Sequence, residues 1–403
     1  MWQQPRRAPA VQTIYDAAEN AIKSEDRVFK FHDIVANALK RIPEPGKIPT
    51  GWQEPLRRYL DAAQNEAALN ALGFQSIAAT AAAKLQARYE ICAAIERNPA
   101  VSRAAIDRPI FVIGGWRTGT TLLQRLLASV PALKGMLPLE LLQPWRFVDA
   151  DASKRETMLE AARGAPNMLH VLNPEIMDIH PYGPDQEEEC VLALGTDFKN
   201  LSFTSNIHVP SYAHWLLEQD MTDSYAIYRD VLRLVNHGDR RRLILKAPAH
   251  TASLPAIWAN FPDAIVIQLH RDVVNTVTSG ASLFAVFHST YSDRVDPVEV
   301  GRYQLGMTRT WFDRAAAARE ANPTRRVIDV DFREFIADPV GMVGKICKAC
   351  DVDWDDHAGQ RVSSRLVNLN QRHASHKYQP EDFGLTAGEI REYLAGYAAQ
   401  HGL

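Results

Sequence analysis

The 403-residue chain contains no uninterrupted apolar stretch of about 18 residues, the length a membrane-spanning helix requires. Its first residues, MWQQPRRAPAVQ, lack the apolar run of a secretory signal. A cytoplasmic protein without a membrane span is therefore expected. Four cysteines are too few for a disulfide framework. Cys347 and Cys350 form a CxxC, but within the helix-like run GMVGKICKAC and with no second pair nearby. They read as one face of a half-buried helix rather than a redox or metal pair. No other His/Cys spacing resembles a metal site, so no metal is expected. Charge of one sign is also lacking: 45 basic against 48 acidic residues leave a net charge of −3. That excludes a general attraction to nucleic acid or anionic membrane, and any anion must be held by a local basic pocket.

What is present is enough apolar material, 46% of residues, for a sizeable core. Residues 1–105 read as a helical segment, a cap or a dimer surface in a possible homo-oligomer. FHDIVANALKRI sets Phe31, Ile34, Val35 and Leu39 on one side, and an Ala- and Leu-rich stretch runs from about 52 to 98. The breaker-rich PEPGKIPTG (43–51) separates them. From residue 106 onward the character changes to a single domain reaching 403. PIFVIGG (109–115) is a continuous apolar run ended by glycines, as a buried parallel strand requires. TGTTLLQRLLASVP then repeats leucine at helical spacing until Pro131. RLILKAP (242–248), AIVIQLHR (264–271) and RRVIDVDF (325–332) read as further strands, with TASLPAIWANF and DVVNTVTSGASLFAVF as intervening helices. This order predicts an α/β fold, a P-loop-like parallel sheet flanked by helices. Residues 145–242 carry weaker signals.

Gly114-Gly115-Trp116-Arg117-Thr118-Gly119-Thr120-Thr121 has the spacing GxxxxG-x-T, a Walker-type loop whose lysine is replaced by Thr120. Backbone N–H groups of such a loop, with a helix N-terminus behind them, converge on an anion. In ATP and GTP enzymes the missing lysine serves the β- and γ-phosphates. Here the cation is Arg117, an arrangement that suits a 5′-phosphate-type group better than a triphosphate. Gly115, Arg117, Thr118, Gly119, Thr120 and Thr121 are the predicted binding residues. Lys246 and Arg271 each follow a predicted strand, which places them with Gly115 on the carboxyl rim of the sheet.

FVIGGWRTGTTLLQRLLAS resembles the 5′-phosphosulfate loop of sulfotransferases that use 3′-phosphoadenosine 5′-phosphosulfate (PAPS). Its Arg-Thr-Gly-Thr-Thr form is similar to that of the bacterial and tyrosylprotein enzymes. The resemblance implies sulfuryl transfer from PAPS to an acceptor hydroxyl, leaving 3′-phosphoadenosine 5′-phosphate (PAP). It covers residues 108–395 and assigns the 3′-phosphate to Arg271 and Ser279, eight residues apart. It puts Lys246 near the bridging oxygen of the donor and a late basic loop, His376, Lys377 and Tyr378, over the nucleotide. Asn275, Ser279 and Ser282 share a face if 273–284 is helical, with Val273, Val277, Gly280 and Phe284 opposite.

The resemblance also implies a catalytic base. Glu140, 23 residues after Arg117 and flanked by Leu137, Leu139 and Leu141, matches the place of the family's glutamate. His250 competes, because the cytosolic members use histidine; Glu187, Glu188 and Glu189 are further carboxylates near the acceptor side, with His170, His180 and Tyr182 as acceptor contacts. Two other functions fit the loop. A small-molecule kinase would use VIDVD (327–331) as an acidic strand for Mg²⁺, and a non-catalytic nucleotide-binding protein would leave Glu140 and Lys246 remote from the loop. The acceptor is a small molecule or lipid; Phe198, Phe203, Tyr212 and Trp215 lean toward a lipid, steroid or aromatic alcohol.

Overall fold

In the computed structural model, which describes residues 1–42, 49–369 and 378–403, the run IFVIG forms β1 (Ile110–Gly114). It is the middle strand of a five-stranded parallel sheet, with β2 (Leu133–Gly135), β3 (Arg242–Lys246), β4 (Ile265–His270) and β5 (Val327–Asp331), in the order β2-β3-β1-β4-β5. Every residue of β1 is buried, because helices cover both faces, so the strand reads as a continuous apolar run rather than an alternation. Phe111 and Ile113 point into one cluster, with Ala87, Ile91, Tyr228, Val231, Ile257 and Trp258. Ile110 and Val112 point into the other, with Leu123, Leu126 and Leu127 of the loop helix and Val343, Ile346 and Cys347 of the helix Pro339–Ala349. Both CxxC cysteines are packed there, and burial pushes the Cys347 thiol up to about 12 and the Cys350 thiol up to about 11. They fill space.

The runs read as strands, 109–115, 242–248, 264–271 and 325–332, form β1, β3, β4 and β5 with ends up to two residues shorter. β2 was not predicted: three residues, Leu-Lys-Gly, carry no periodicity. The long helix Pro297–Ala321 likewise went unread. Residues 145–242 fold as short helices between turns, Ala152–Gly164, Met168–Leu172, Glu175–Ile179, Phe203–Asn206, Pro210–Leu217 and Thr222–Asn236 among them.

The N-terminal segment is helical, with Pro9–Ala21, Phe31–Leu39, Gln53–Glu66 and Ala71–Arg97. The last of these enters two clusters: Ala87, Ile91 and Ala94 lie under the sheet, and Ile77, Ala81, Leu85 and Tyr89 lie with Trp52, Tyr59, Phe198, Phe203 and Tyr212. Residues 71–97 therefore share their core with residues beyond 106.

Candidate active site

The loop after β1 owes its shape to three residues with positive φ: Gly114 (150°), Arg117 (57°) and Gly119 (89°). A Cβ on Gly114 would lie 2.8 Å from the Leu269 carbonyl, and one on Gly115 would lie 2.5 Å from Thr276 Cγ2. The backbone is thus drawn tight against β4 and the helix Val273–Tyr291. Arg117 takes the left-handed conformation despite its Cβ, the kind of outlier that recurs where a loop clamps a ligand. Trp116 anchors the loop. It packs on Phe284 and Trp311, with ring centroids 5.0 and 5.1 Å away, and sits over Gly280, where a Cβ would meet Trp116 Cδ1 at 2.8 Å. The sequence reading gave Trp116 no part. The Thr118 hydroxyl donates to the Gly115 carbonyl at 2.9 Å. Thr120 opens the helix Thr120–Leu127, whose first N–H groups and N-terminal dipole favour an anion there.

Lys246 ends β3 and is completely buried. Its ammonium donates to Thr121 Oγ1 at 2.9 Å and to Glu189 Oε1 at 2.6 Å. Two predicted groups, Lys246 and Thr121, are thereby joined, and a third, Glu189, stands on the ammonium. A lysine without solvent needs such partners to hold its charge.

Arg271, just after β4, donates from Nη1 to the Arg117 carbonyl at 2.6 Å and lies over the Phe332 ring, 4.4 Å from its centroid. Burial pushes its guanidinium down from the usual value, opposed by Tyr378, with Arg117 adding to the decrease. The Tyr378 hydroxyl donates to Ser279 Oγ at 2.7 Å. Arg117, Arg271, Ser279 and Tyr378 thus form a connected set beside the loop. His376 and Lys377 lie outside the described residues. The expected one-sided polarity of 273–284 is only partial. Asn275 is exposed, but Ser279 and Ser282 are buried, since the helix is covered on both sides.

The carboxylates point in different directions. Glu140 lies in the short helix Pro138–Leu142; its Oε2 accepts from the Leu137 N–H at 2.9 Å, and its Oε1 is 3.6 Å from Lys134 and 3.8 Å from Arg155. Lys134 also reaches Asp239, which precedes β3. Glu187 turns to Arg365 at 2.8 Å. Glu188, 4% exposed, accepts from the Glu189 N–H and lies 3.7 Å from His180 Nε2. Burial raises the Glu188 pKa, but His180, Lys246 and the Glu189 N–H outweigh that and bring it to about 2. His180, Glu188 and Glu189 each bring a ligand atom within 4.8 Å of the others, a span a divalent cation would accept, but Glu189 already carries the Lys246 ammonium.

His250 is fully buried, edge-on to Phe111, with Nδ1 2.6 Å from the Tyr225 hydroxyl. Burial, then the Lys246 charge, pushes its imidazole down to about 3. The structure seats it in the core behind the sheet. Phe198, Phe203 and Tyr212 are also core residues, packed against Trp52 and Tyr59, so they give no information about an acceptor. The VIDVD acids are engaged elsewhere: Asp329 with His270 and Arg319, and Asp331 with the N-terminus of the helix Phe332–Ala337 and Arg333.

A model of the sulfotransferase family matches residues 109–356, which carry β1 to β5, the loop, Lys246 and Arg271. The chain belongs to the sulfotransferase family. Within that family it is similar to the omega-hydroxy-beta-dihydromenaquinone-9 sulfotransferase of Mycobacterium bovis and Mycobacterium tuberculosis, 25% identical over 293 residues, 66% of this chain and 71% of the relative. Sulfotransferase STF1 from Mycobacterium tuberculosis is similar in structure, with TM-score 0.79 and 31% identity over 92% of this chain and 99% of that one. Sulfotransferase STF9 from Mycobacterium avium gives TM-score 0.78 and 26% identity over 92% and 96%. The α/β parallel-sheet expectation and the sulfotransferase expectation both hold. Among the described residues no helix is long and apolar enough to cross a membrane.

Proposed function

We propose that this sulfotransferase uses PAPS as donor and a hydroxyl of a lipid-like molecule as acceptor. The observation that carries the reading is the buried Lys246, bonded at once to Thr121 of the loop and to Glu189. The loop N–H groups, Thr120, Thr121 and Arg117 bind the 5′-phosphate; Arg271, Ser279 and Tyr378 bind the 3′-phosphate through charge-assisted bonds. Lys246 faces the oxygen that bridges phosphorus and sulfur. In the reaction the acceptor oxygen attacks sulfur, the bond from sulfur to the bridging oxygen breaks, and its electron pair stays on the phosphate, where Lys246 stabilises it. The acceptor O–H proton passes to a carboxylate. Glu189 is the one that stands at Lys246, whereas Glu140 holds its own helix end and Lys134. We therefore assign the base to Glu189.

The acceptor class follows the relative named as a menaquinone sulfotransferase. The helices Met168–Leu172 and Glu175–Ile179, whose Ile179 carbonyl receives the Arg117 guanidinium, leave Met168, Val171 and Met177 between 40% and 49% exposed beside the site. That apolar rim suits a lipid tail. The decisive test is thermal unfolding with PAP, with ATP·Mg²⁺ and without ligand. A ligand bound only by the folded state raises the midpoint. PAP is expected to raise it in the presence of a chelator, and ATP·Mg²⁺ much less. A larger shift with ATP·Mg²⁺ would favour a kinase.

A further inference from the structure

Glu189 does not stand alone. Its N–H donates to Glu188 Oε1 at 2.8 Å, and the Glu188 carboxylate is enclosed, with Oε2 buried and without a hydrogen-bond partner. The Glu188 backbone is fixed twice: its N–H donates to the Met136 carbonyl at 3.0 Å, and its carbonyl accepts from Gln124 Nε2 at 3.0 Å. On the other side stands His180. Its N–H donates to the Ile176 carbonyl at 2.8 Å, the carbonyl before it accepts from Arg117, and the carbonyl after it accepts from Arg125. The imidazole is partly open, 26% of the side chain, between Tyr182 and Phe287. A buried carboxylate with one oxygen unpartnered and the other 3.7 Å from a partly open imidazole is costly to keep unless it has a task.

We propose that Glu188 and His180 form the proton exit of the sulfotransferase: Glu188 orients Glu189 and His180, and His180 carries the acceptor's proton from Glu189 to solvent. The inference rests on the assignment of Glu189 as base. After sulfuryl transfer Glu189 is a carboxylic acid held against the Lys246 ammonium. The acid O–H bond breaks, an N–H bond forms on the imidazole, and the imidazolium gives that proton to water, so Glu189 is a carboxylate again before the next PAPS binds. An imidazole is ordinarily a stronger base than a carboxylate, so the transfer runs downhill. The reactive atoms lie within 4.8 Å of one another, a gap that one water spans. The charged groups about His180 are Glu188 and Glu189, Lys246 behind Glu189, and Arg117, which donates to the neighbouring Ile179 carbonyl; Tyr182 packs beside the ring. His180 and Glu188 are positioning residues, since neither is placed on the donor or the acceptor hydroxyl.

The test compares wild type with His180→Gln, Glu188→Gln and Glu189→Gln. The assay uses PAPS and whichever member of a panel of hydroxylated isoprenoid quinones, sterols and phenols the wild type sulfates. His180→Gln is expected to bind PAP as wild type does and to lower turnover about 10- to 100-fold, short of the loss of a full general base. Added imidazole restores its rate, and its pH profile loses the limb that the imidazole supplies. Glu189→Gln loses more, and imidazole does not restore it. Wild-type turnover with an unchanged pH profile in His180→Gln, or a loss that imidazole fails to restore, overturns the exit. Wild-type turnover in Glu189→Gln overturns the base assignment and the exit with it, while leaving PAPS use intact. A shift of the unfolding midpoint with PAP no larger than with ATP·Mg²⁺ refutes the donor reading instead. A readout independent of acceptor guards against a panel without a substrate. The His180 ring resonances in the NMR spectrum move in Glu188→Gln relative to wild type, because the carboxylate 3.7 Å away is gone; unchanged resonances count against the pair.

Discussion

Replacing Arg271 by alanine separates the 3′-phosphate from the rest of the nucleotide. Arg271 makes one bond that any nucleotide would feel indirectly, from Nη1 to the Arg117 carbonyl. Its loss loosens the loop by about 0.5–1.5 kcal/mol, the net value of an ordinary hydrogen bond, and should weaken PAP and adenosine 5′-phosphate alike. The remainder of the guanidinium, over the Phe332 ring and coupled in charge to Tyr378, which bonds Ser279, is assigned to the 3′-phosphate, which only PAP carries. Bonds to charged groups contribute about 1.5–3 kcal/mol. The ratio of the two dissociation constants should therefore change roughly 10- to 150-fold, whatever the common loss. Isothermal titration of both nucleotides against wild type and Arg271→Ala measures that ratio. Arg271→Lys keeps the charge but loses the fork and the stacking, so it should fall between the two. An unchanged ratio, with both nucleotides weakened equally, would show that Arg271 serves the loop and not the 3′-phosphate.

Glu189→Gln should lower turnover by about 10²–10⁴-fold with PAP affinity nearly kept, while Glu140→Gln should leave turnover within about tenfold and lower the unfolding midpoint, because it leaves the buried Lys134 with Asp239 as its one remaining carboxylate; steady-state kinetics and thermal unfolding on both variants decide which carboxylate takes the proton. Sulfuryl transfer should survive dialysis against a chelator, since the charge assigned to the leaving phosphate comes from Arg117, Lys246 and N–H groups; loss restored by Mg²⁺ would count against the scheme. Stability should fall from pH 7.5 to 5.5, where most carboxylates are still ionised. His250 and His288 are buried, burial pushes each imidazole down to about 3, and so the unfolded chain binds protons below about 6.5 that the folded one refuses. Their contribution is complete above about pH 6.5 and is lost toward pH 3, about 1.4 kcal/mol each by pH 5.5; a midpoint flat over that range would show that neither imidazole is held neutral.

The sheet was legible because burial on both faces writes itself as unbroken apolar runs: IFVIG, RLILK and IVIQLH sit in register between covering helices. β2 escaped because Leu-Lys-Gly is too short to carry a period, and its place at the sheet edge is set by pairing with β3, a long-range contact. Phe198, Phe203 and Tyr212 were ambiguous for a related reason. Apolar residues mark a core or a pocket equally well, and only the partners tell which; Tyr59 and Trp52, from a segment without any motif, turn Phe203 and Phe198 into core.

The site divides along the same line. A loop is local, so GGWRTGTT contains nearly everything needed to fold it; the residue missing from that reading, Trp116, is defined by Gly280, more than 160 positions later. Lys246 and Arg271 were placed by a rule about strand ends, which depends only on topology. The carboxylates are different, because the direction of a side chain depends on the register of the chain that bears it. Glu140 has the expected distance from Arg117 along the chain, but it sits on the first turn of a helix that follows an edge strand, and there it caps that turn and meets Lys134. Glu187, Glu188 and Glu189 look like an exposed charge run. One backbone bond, from the Glu188 N–H to the Met136 carbonyl, lays the run beside the exit of β2. Successive side chains then diverge, to Arg365, to His180 and to Lys246. The group that reaches the buried ammonium is thus selected by long-range hydrogen bonds to the Glu188 backbone, from Gln124 as well as to Met136, and no spacing within 187–189 distinguishes it from its neighbours.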